Sequence, residues 1–474
     1  MIPHWVSLAL PWVLWALYVG GGIAASIHVL LYKRHTRAAI GWLGVIWLAP
    51  WVGASLYLFL GVNRIKRRAA ALRGPGTLDR ALQFPPHAHR GDSRIGDLAD
   101  LASAVERIVR KPLLDGNAVR MLEGGDLAFA AMLDAIDRAE HSVVFATYIF
   151  DRGVVADAFV EALAAAQARG VEVRVLIDAV GARYSFPPAY KALRRRGVRT
   201  ARFLPGMFTP WWNLRNHRKL LVVDGKVGYT GGLNVRDEHL LERGEETTFD
   251  THFELRGPIV AELASCFAAD WFFVTKERLE GPAFFPAQTP AGSALARGIA
   301  DGPDADIANL AWTLLAAVAC AKRRILVATP YFLPELELAT ALDVAAMRGV
   351  EVDLIIPRES NLPFVSWATW GHLRHVLGRG CRVHATPKPF DHSKLMVVDD
   401  RWVLLGSANW DSRSLRLNFE FDVEVYDETL AAEVTASLEA RIARAERVRM
   451  EDLHRLPLWI RLRDGFARLF SPYL

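Results

Sequence analysis

HRKLLVVD at residues 217–224 and HSKLMVVD at residues 392–399 carry one pattern: a His, a Lys two positions on and an Asp seven positions on. Each runs on to a turn and an Asn at the same distance. His217 leads to Gly231, Gly232 and Asn234, and His392 leads to Gly406, Ser407 and Asn409. A lone His-x-Lys means nothing, but the match of five points at equal offsets marks a duplicated unit. The apolar residues between Lys and Asp, Leu220 to Val223 and Leu395 to Val398, predict a strand buried in a sheet. In an extended chain, positions i and i+2 face one side, so His217 with Lys219, and His392 with Lys394, can reach one pocket together.

Working outward, the duplication extends upstream. FATYIF at 145–150 matches VATPYF at 327–332, RGVEVR at 169–174 matches RGVEVD at 348–353, and RGVR at 196–199 matches RGCR at 379–382. Within the first unit, β-rich runs at Ser142 to Ile149 and Val171 to Ile177 flank an Ala-rich helical stretch, Val154 to Ala168. The fold class expected is therefore α/β, with two pseudo-symmetric α/β/α halves built on a mixed sheet. The first half is placed at 106–280 and the second at 307–474. The Pro-rich stretch 281–306 reads as the connection between them.

The N-terminus differs. Apolar runs from Trp5 to Tyr32 and from Ala38 to Val62 each exceed the roughly 20 residues a helix needs to cross a bilayer. They predict a transmembrane hairpin over 1–65, with Pro11 and Pro50 as candidate kinks. The run Ala24-Ala25-Ser26 resembles a signal-peptide cleavage site, but no basic stretch precedes the first run. Lys33, Arg34 and Arg37 lie at the hairpin tip and Arg64, Lys66, Arg67, Arg68 and Arg73 at its exit, which under the positive-inside rule favours a cytosolic catalytic part. The opposite orientation and a re-entrant hairpin stay open. Residues 66–105 read as a linker along the membrane surface, and 458–474 as a basic amphipathic helix suited to acidic lipid or to docking on the core.

The length of 474 residues allows about three units at roughly 150 residues each. A net charge of +5 with pI near 9.1 fits an anionic partner, phospholipid or nucleic acid. The chain carries no dense basic groove interleaved with aromatics outside the motifs, which disfavours nucleic acid. Cys266, Cys320 and Cys381 are odd in number and irregularly spaced, so neither a disulfide framework nor a thiolate metal site is indicated. His87 with His89, and His372 with His375, lack further ligands nearby, and no metal or other cofactor is expected.

A phosphodiester calls for cationic donors on its oxygens, a nucleophile, and an acid for the leaving alkoxide. Each motif supplies a His, a Lys and an Asn. A carboxylate on one imidazole nitrogen fixes the tautomer and raises the basicity of the other. Aligning FDTHFEL at 249–255 with FEFDVEV at 419–425 nominates Asp250 and Glu420 for that task, with Glu245 as the fallback from strict counting. His252 then aligns with Asp422, and His252 and His239 are candidates for supporting the first motif.

With these residues in place, the chain resembles the phospholipase D superfamily, and within it the bacterial cardiolipin synthases. RNHRK at 215–219, TGGLN at 230–234, GSAN at 406–409 and NFE at 418–420 carry the likeness. The resemblance implies a metal-free, two-step exchange at His217, Lys219 and Asp224 with His392, Lys394 and Asp399. It implies attack by His217, proton transfer by His392, and phosphoryl binding by the lysines, Asn234, Asn409, Gly232 and Ser407. Asp224 and Asp399 are expected to support the local network. The implied substrate is phosphatidylglycerol as both donor and acceptor, in a bacterial inner membrane, and the alternative is a hydrolytic phospholipase D. Phe208, Trp211 and Trp212 are candidates for lining a lipid entrance.

Overall fold

The computed structural model describes residues 4–33, 36–61, 92–204, 214–303 and 308–474. Phe208, Trp211, Trp212, His87, His89 and most of the expected linker lie outside them. The chain divides into an N-terminal unit and a catalytic unit.

In the N-terminal unit, His4–Tyr32 is a single helix that runs through Pro11, and Trp12–Tyr32 is long and apolar enough to cross a membrane. The second run breaks at Pro50, its candidate kink. It forms Thr36–Leu48 and Pro50–Leu56, broken at Ala49 (φ −147°), followed by a wide turn at Tyr57–Gly61. Pro50 explains the break, because its ring bars the preceding residue from the helical region. Gly53 then lets the backbone fold closely, since a Cβ there would stand 2.3 Å from the Val45 carbonyl oxygen. Val29, Ile46 and Tyr57 are buried between the pieces, and His28 Nδ1 meets the Tyr57 hydroxyl at 2.7 Å.

Among the described residues, the catalytic unit is built on one 15-stranded mixed sheet. Its centre is a seam where Leu114–Glu123 pairs antiparallel with Ala294–Asp301. Outward from Leu114–Glu123 the strands are Thr251–Arg256, Val227–Gly231, Leu220–Val223, Ser142–Thr147, Glu172–Asp178 and Arg199–Phe203. Outward from Ala294–Asp301 they are Glu420–Tyr426, Trp402–Gly406, Leu395–Val398, Arg324–Ala328, Glu351–Pro357 and Arg382–Thr386, with Glu446–Val448 added at the edge. The two lists match strand for strand, so the sequence repeat is a structural one. Helices cover both faces, which is why the motif strands are apolar throughout instead of alternating.

Two expected boundaries move. The stretch 281–306 is more than a connection, because it contains the seam strand Ala294–Asp301, whose buried Arg297 pairs with buried Glu424. Its sequence, ALARGIAD, hides the strand behind a Gly and two charges. The helix Ala99–Val109, placed by sequence in or beside the linker, packs Leu101, Ala102 and Val105 into the core of the second half beside Leu314 and Ala317.

Candidate active site

Neither His-x-Lys lies within a regular strand. Each occupies the extended segment just before one, and there the chain reaches across to the other half. Asn216 bridges Phe419, with His217 N–H donating to the Phe419 carbonyl at 2.9 Å. Phe390–Asp391 pairs parallel with Thr248–Phe249, and His392 N–H donates to the Phe249 carbonyl at 2.7 Å. These two crossings bring both motifs into one buried site.

The orienting carboxylates are exchanged between halves. Glu420 takes the Nδ1 of His217 at 3.0 Å, and Asp250 takes the Nδ1 of His392 at 2.7 Å. An ionised carboxylate can only accept, so with Glu420 and Asp250 ionised each Nδ1 carries a proton and each Nε2 points away from its carboxylate for chemistry. The fallback Glu245 is exposed on the short turn Leu241–Glu246.

Space around the carboxylates is tightly fitted. A Cβ on Gly232 would stand 2.2 Å from an Asp250 carboxylate oxygen, so only glycine fits there. Its counterpart Ser407 has room for a side chain, and its hydroxyl donates to Glu420 at 2.6 Å. Gly231, with φ +147°, holds a backbone shape that favours glycine and abuts His252.

Both lysines are buried with the imidazoles. Lys219 Nζ donates to the His217 carbonyl at 2.6 Å, while Lys394 Nζ donates to the His392 carbonyl and lies 2.8 Å from His392 Nδ1. Burial is the main cause that lowers Lys219 to about 7 and Lys394 to about 8. Burial likewise lowers both imidazoles, His392 furthest because Lys394, Lys219 and His217 add to it. The carboxylates diverge. Burial raises Asp250, whereas at Glu420 the pull of His217, Lys219 and the Ser407 hydroxyl outweighs burial and holds it below the ordinary carboxylate range. A bound phosphodiester anion would counter the depression of the lysines and imidazoles.

Asn234 is buried, and its Oδ1 accepts from Ile149 N–H at 3.1 Å, which leaves its amide donors for a ligand. His239 supports it: Nδ1 meets the Thr248 carbonyl at 2.8 Å, and Nε2 accepts from the Asn234 N–H at 3.4 Å. Asn409 is also buried, and its Oδ1 has no hydrogen-bond partner among the described residues. His252 is buried beside Asp250 and driven to about 3, chiefly by burial.

Asp224 and Asp399 stand elsewhere, so their place among the catalytic residues needs correcting. Each ends its strand, seven residues and roughly 20 Å of extended chain from its His. Asp224 accepts from the backbone N–H groups of His141 at 2.7 Å and Ser142 at 2.9 Å, and Asp399 from those of Arg323 at 2.7 Å and Arg324 at 2.9 Å. They pin the motif strand to the start of its neighbour.

Sequence reasoning missed Tyr148 and Tyr331, whose rings stand 5.1 Å from His217 and 6.0 Å from His392. The repeat FATYIF against VATPYF held the signal, although the tyrosines are offset by one position. It also missed the ion pairs behind each motif. In the first half Arg218 pairs with Asp270 at 2.7 Å, and in the second Asp391 pairs with Arg441 at 2.8 Å, all four buried.

Comparison with known proteins agrees with this architecture. The family described as cardiolipin synthase, PLD-like domain, matches residues 132–271 and 314–442, and the family described as phospholipase D-nuclease N-terminal matches residues 22–61. The major cardiolipin synthase ClsA of Bacillus subtilis (strain 168) is 30% identical over 469 residues, covering 95% of this chain and 97% of that protein. Cardiolipin synthase A of Yersinia pseudotuberculosis serotype O:1b is 29% identical over 97% of both chains. The crystal structure of phosphatidylserine synthase from Haemophilus influenzae Rd KW20 shares the fold, with a TM-score of 0.62 at 15% identity over 79% of this chain and all of that one. The duplicated motif, the shared buried site and these full-length relatives place the chain among the bacterial cardiolipin synthases of the phospholipase D superfamily.

Proposed function

We propose that the chain moves a phosphatidyl group from one phosphatidylglycerol to another through a phosphatidyl-histidine at His217, giving cardiolipin and glycerol. The observation that carries this reading is the pair of imidazoles in one buried site, each with Nδ1 held by a carboxylate and Nε2 left open. With the diester anion bound, His392 takes up a second proton on Nε2; Nε2 of His217 attacks phosphorus, the bond from phosphorus to the glycerol oxygen breaks, and that proton passes from His392 to the departing glycerol, leaving His392 neutral. His392 then takes the proton from the incoming hydroxyl as that oxygen displaces His217. The ionised Glu420 supports the imidazolium character of an attacking His217, which favours the first His as nucleophile. Lys219, Lys394, Asn234 and Asn409 bind the phosphoryl oxygens, with the backbone at Gly232 and Ser407 closing around them.

The same reading makes the protein a multi-pass component of a bacterial inner membrane, with the catalytic unit on the cytoplasmic side. Residues 1–65 are the membrane unit, and the two catalytic halves share the seam. Substrates confined to the bilayer then meet a tethered site at high effective concentration.

Product analysis tests this directly. The purified full chain, given phosphatidylglycerol as its only lipid and no divalent metal, should release cardiolipin and glycerol, and His217→Ala and His392→Ala should release neither. Phosphatidic acid as the main product would make the protein a hydrolytic phospholipase D instead.

A further inference from the structure

The last helix, Leu458–Arg468, is inverted relative to an ordinary surface helix. A helix docked on a core buries its large apolar residues and turns its charges to water. Here Asp464 and Ala467 are buried, while Leu458, Trp459, Leu462, Phe466 and Leu469 are between 58 and 67% exposed, and Phe470 is 40% exposed. At about 100° per residue these six side chains occupy one continuous face of about 120°, opposite the buried one.

The helix is held in this pose. Asp464 bonds Arg463, the Arg463 guanidinium lies 4.6 Å from the Trp367 ring centre, and Arg468 meets His375 at 2.8 Å. His372 meets the Ser471 hydroxyl at 2.8 Å, and the Phe470 ring packs 5.6 Å from Phe364. A Cβ on Gly371 would stand 2.5 Å from the Asp464 carbonyl oxygen, so the two helices touch backbone to backbone. The outward face is therefore a fixed property of the fold.

Charge identifies what covers it. By helical spacing Arg463 borders the apolar face on one side, and Arg461 and Arg468 border it on the other. From Leu453 to Leu474 the chain has Arg455, Arg461, Arg463 and Arg468 against a single acid, the buried Asp464. An apolar face rimmed by arginines fits an acidic bilayer, with the rings and leucines among acyl chains and Arg461, which none of these fastening contacts uses, at phosphates. The face is also continuous with the site. Phe364, which Phe470 touches, opens the helix Pro363–Val376, directly after exposed Leu362. The preceding residue, Asn361, accepts from the Tyr331 hydroxyl at 2.7 Å, and Tyr331 flanks His392.

We propose that this helix is a second membrane contact, separate along the chain from the N-terminal helix, which lays the catalytic unit on an anionic phospholipid surface beside the second half of the site. The proposal rests on the phospholipid chemistry proposed above only for its purpose; its test reads position, not turnover. The full chain carrying Leu462→Cys or Phe466→Cys with an environment-sensitive fluorophore is reconstituted in phosphatidylglycerol vesicles containing a lipid-borne quencher, with the same fluorophore at Lys226→Cys as control. Emission from the helix positions should shift to the blue and be quenched, and that from the control should not. Solvent-like emission from all three, or a blue shift that the lipid-borne quencher does not touch because a second copy or another protein covers the face, overturns the proposal. As a second arm, Leu462→Glu with Phe466→Glu should lower the rate on phosphatidylglycerol vesicles by about tenfold, equivalent to about 1.4 kcal/mol. The rate on a monomeric short-chain substrate should be unchanged. An equal loss on both substrates would mean that the helix serves folding alone.

Discussion

The two catalytic halves repeat the same strand order and the same His-x-Lys geometry, yet their buried polar groups are arranged in opposite ways. Behind the first motif the cation sits on the motif segment and the anion on the helix, as Arg218 with Asp270. Behind the second the anion sits on the motif segment and the cation on the helix, as Asp391 with Arg441. At the His-orienting position the first half pairs Gly232 with the shorter Asp250, and the second pairs Ser407 with the longer Glu420. The duplication fixes where the reacting groups stand, and these exchanges make the two imidazoles chemically unequal. That inequality suits the one nucleophile and one proton carrier of the proposed exchange.

The strongest way to break the comparison is to neutralise each carboxylate. Glu420→Gln and Asp250→Asn should each cost about 10²- to 10⁴-fold in kcat, because the neutral amide no longer fixes the tautomer or stabilises the imidazolium. Rapid-quench kinetics should separate them. Glu420→Gln slows formation of the intermediate, and Asp250→Asn slows its transfer to the acceptor. Slowing of the same step by both would mean that the imidazoles are equivalent.

Gly232→Ser asks whether the fitted pairs are interchangeable. Its Cβ meets Asp250 at 2.2 Å, and overpacking of this kind costs about 1–3 kcal/mol, so a loss of about tenfold to a hundredfold in activity is expected. Adding Asp250→Glu rebuilds the Ser and Glu pair of the second half and should recover most of that loss, as read by kcat and by melting temperature.

The lysines give the comparison a pH dependence. Each is a useful phosphate ligand only while protonated, and burial places Lys219 at about 7 and Lys394 at about 8. Each cation is present below those values and lost above them. kcat/KM for phosphatidylglycerol should therefore fall on the alkaline side, by up to about tenfold per pH unit for each lysine lost. A flat profile from pH 7 to 9 would contradict this placement.

Asp224→Ala and Asp399→Ala should show the smallest effect on rate. Each removes an acceptor from several backbone N–H groups, so stability should drop by about 2–4 kcal/mol while kcat of the folded protein stays near normal. Denaturant unfolding beside kcat measured well below the melting temperature checks both.

Much of this was legible in the sequence. Spacing alone located both His-x-Lys pairs, the two asparagines and the repeat, because backbone periodicity translates directly into which residues share a face. Strand alignment also found Asp250 and Glu420. Their exchange between halves was not legible, since it depends on Asn216 reaching Phe419 and Asp391 reaching Phe249, pairings of long sequence separation that leave no local pattern. The seam strand was hidden for a related reason. Arg297 looks like a surface residue until Glu424, more than a hundred positions away, is known to be its partner. Asp224 and Asp399 share the regular spacing of the motif but hold backbone, in keeping with the supporting role expected of them.

The central claim, one site with His217 as its nucleophile, is tested most directly by quenching the wild-type full chain during turnover of phosphatidylglycerol, with denaturant at alkaline pH, and weighing its peptides. A phosphatidyl adduct on the peptide carrying His217, absent from His217→Ala, is the predicted result. An adduct on His392, or cardiolipin formed at full rate with no adduct on either peptide, would contradict it.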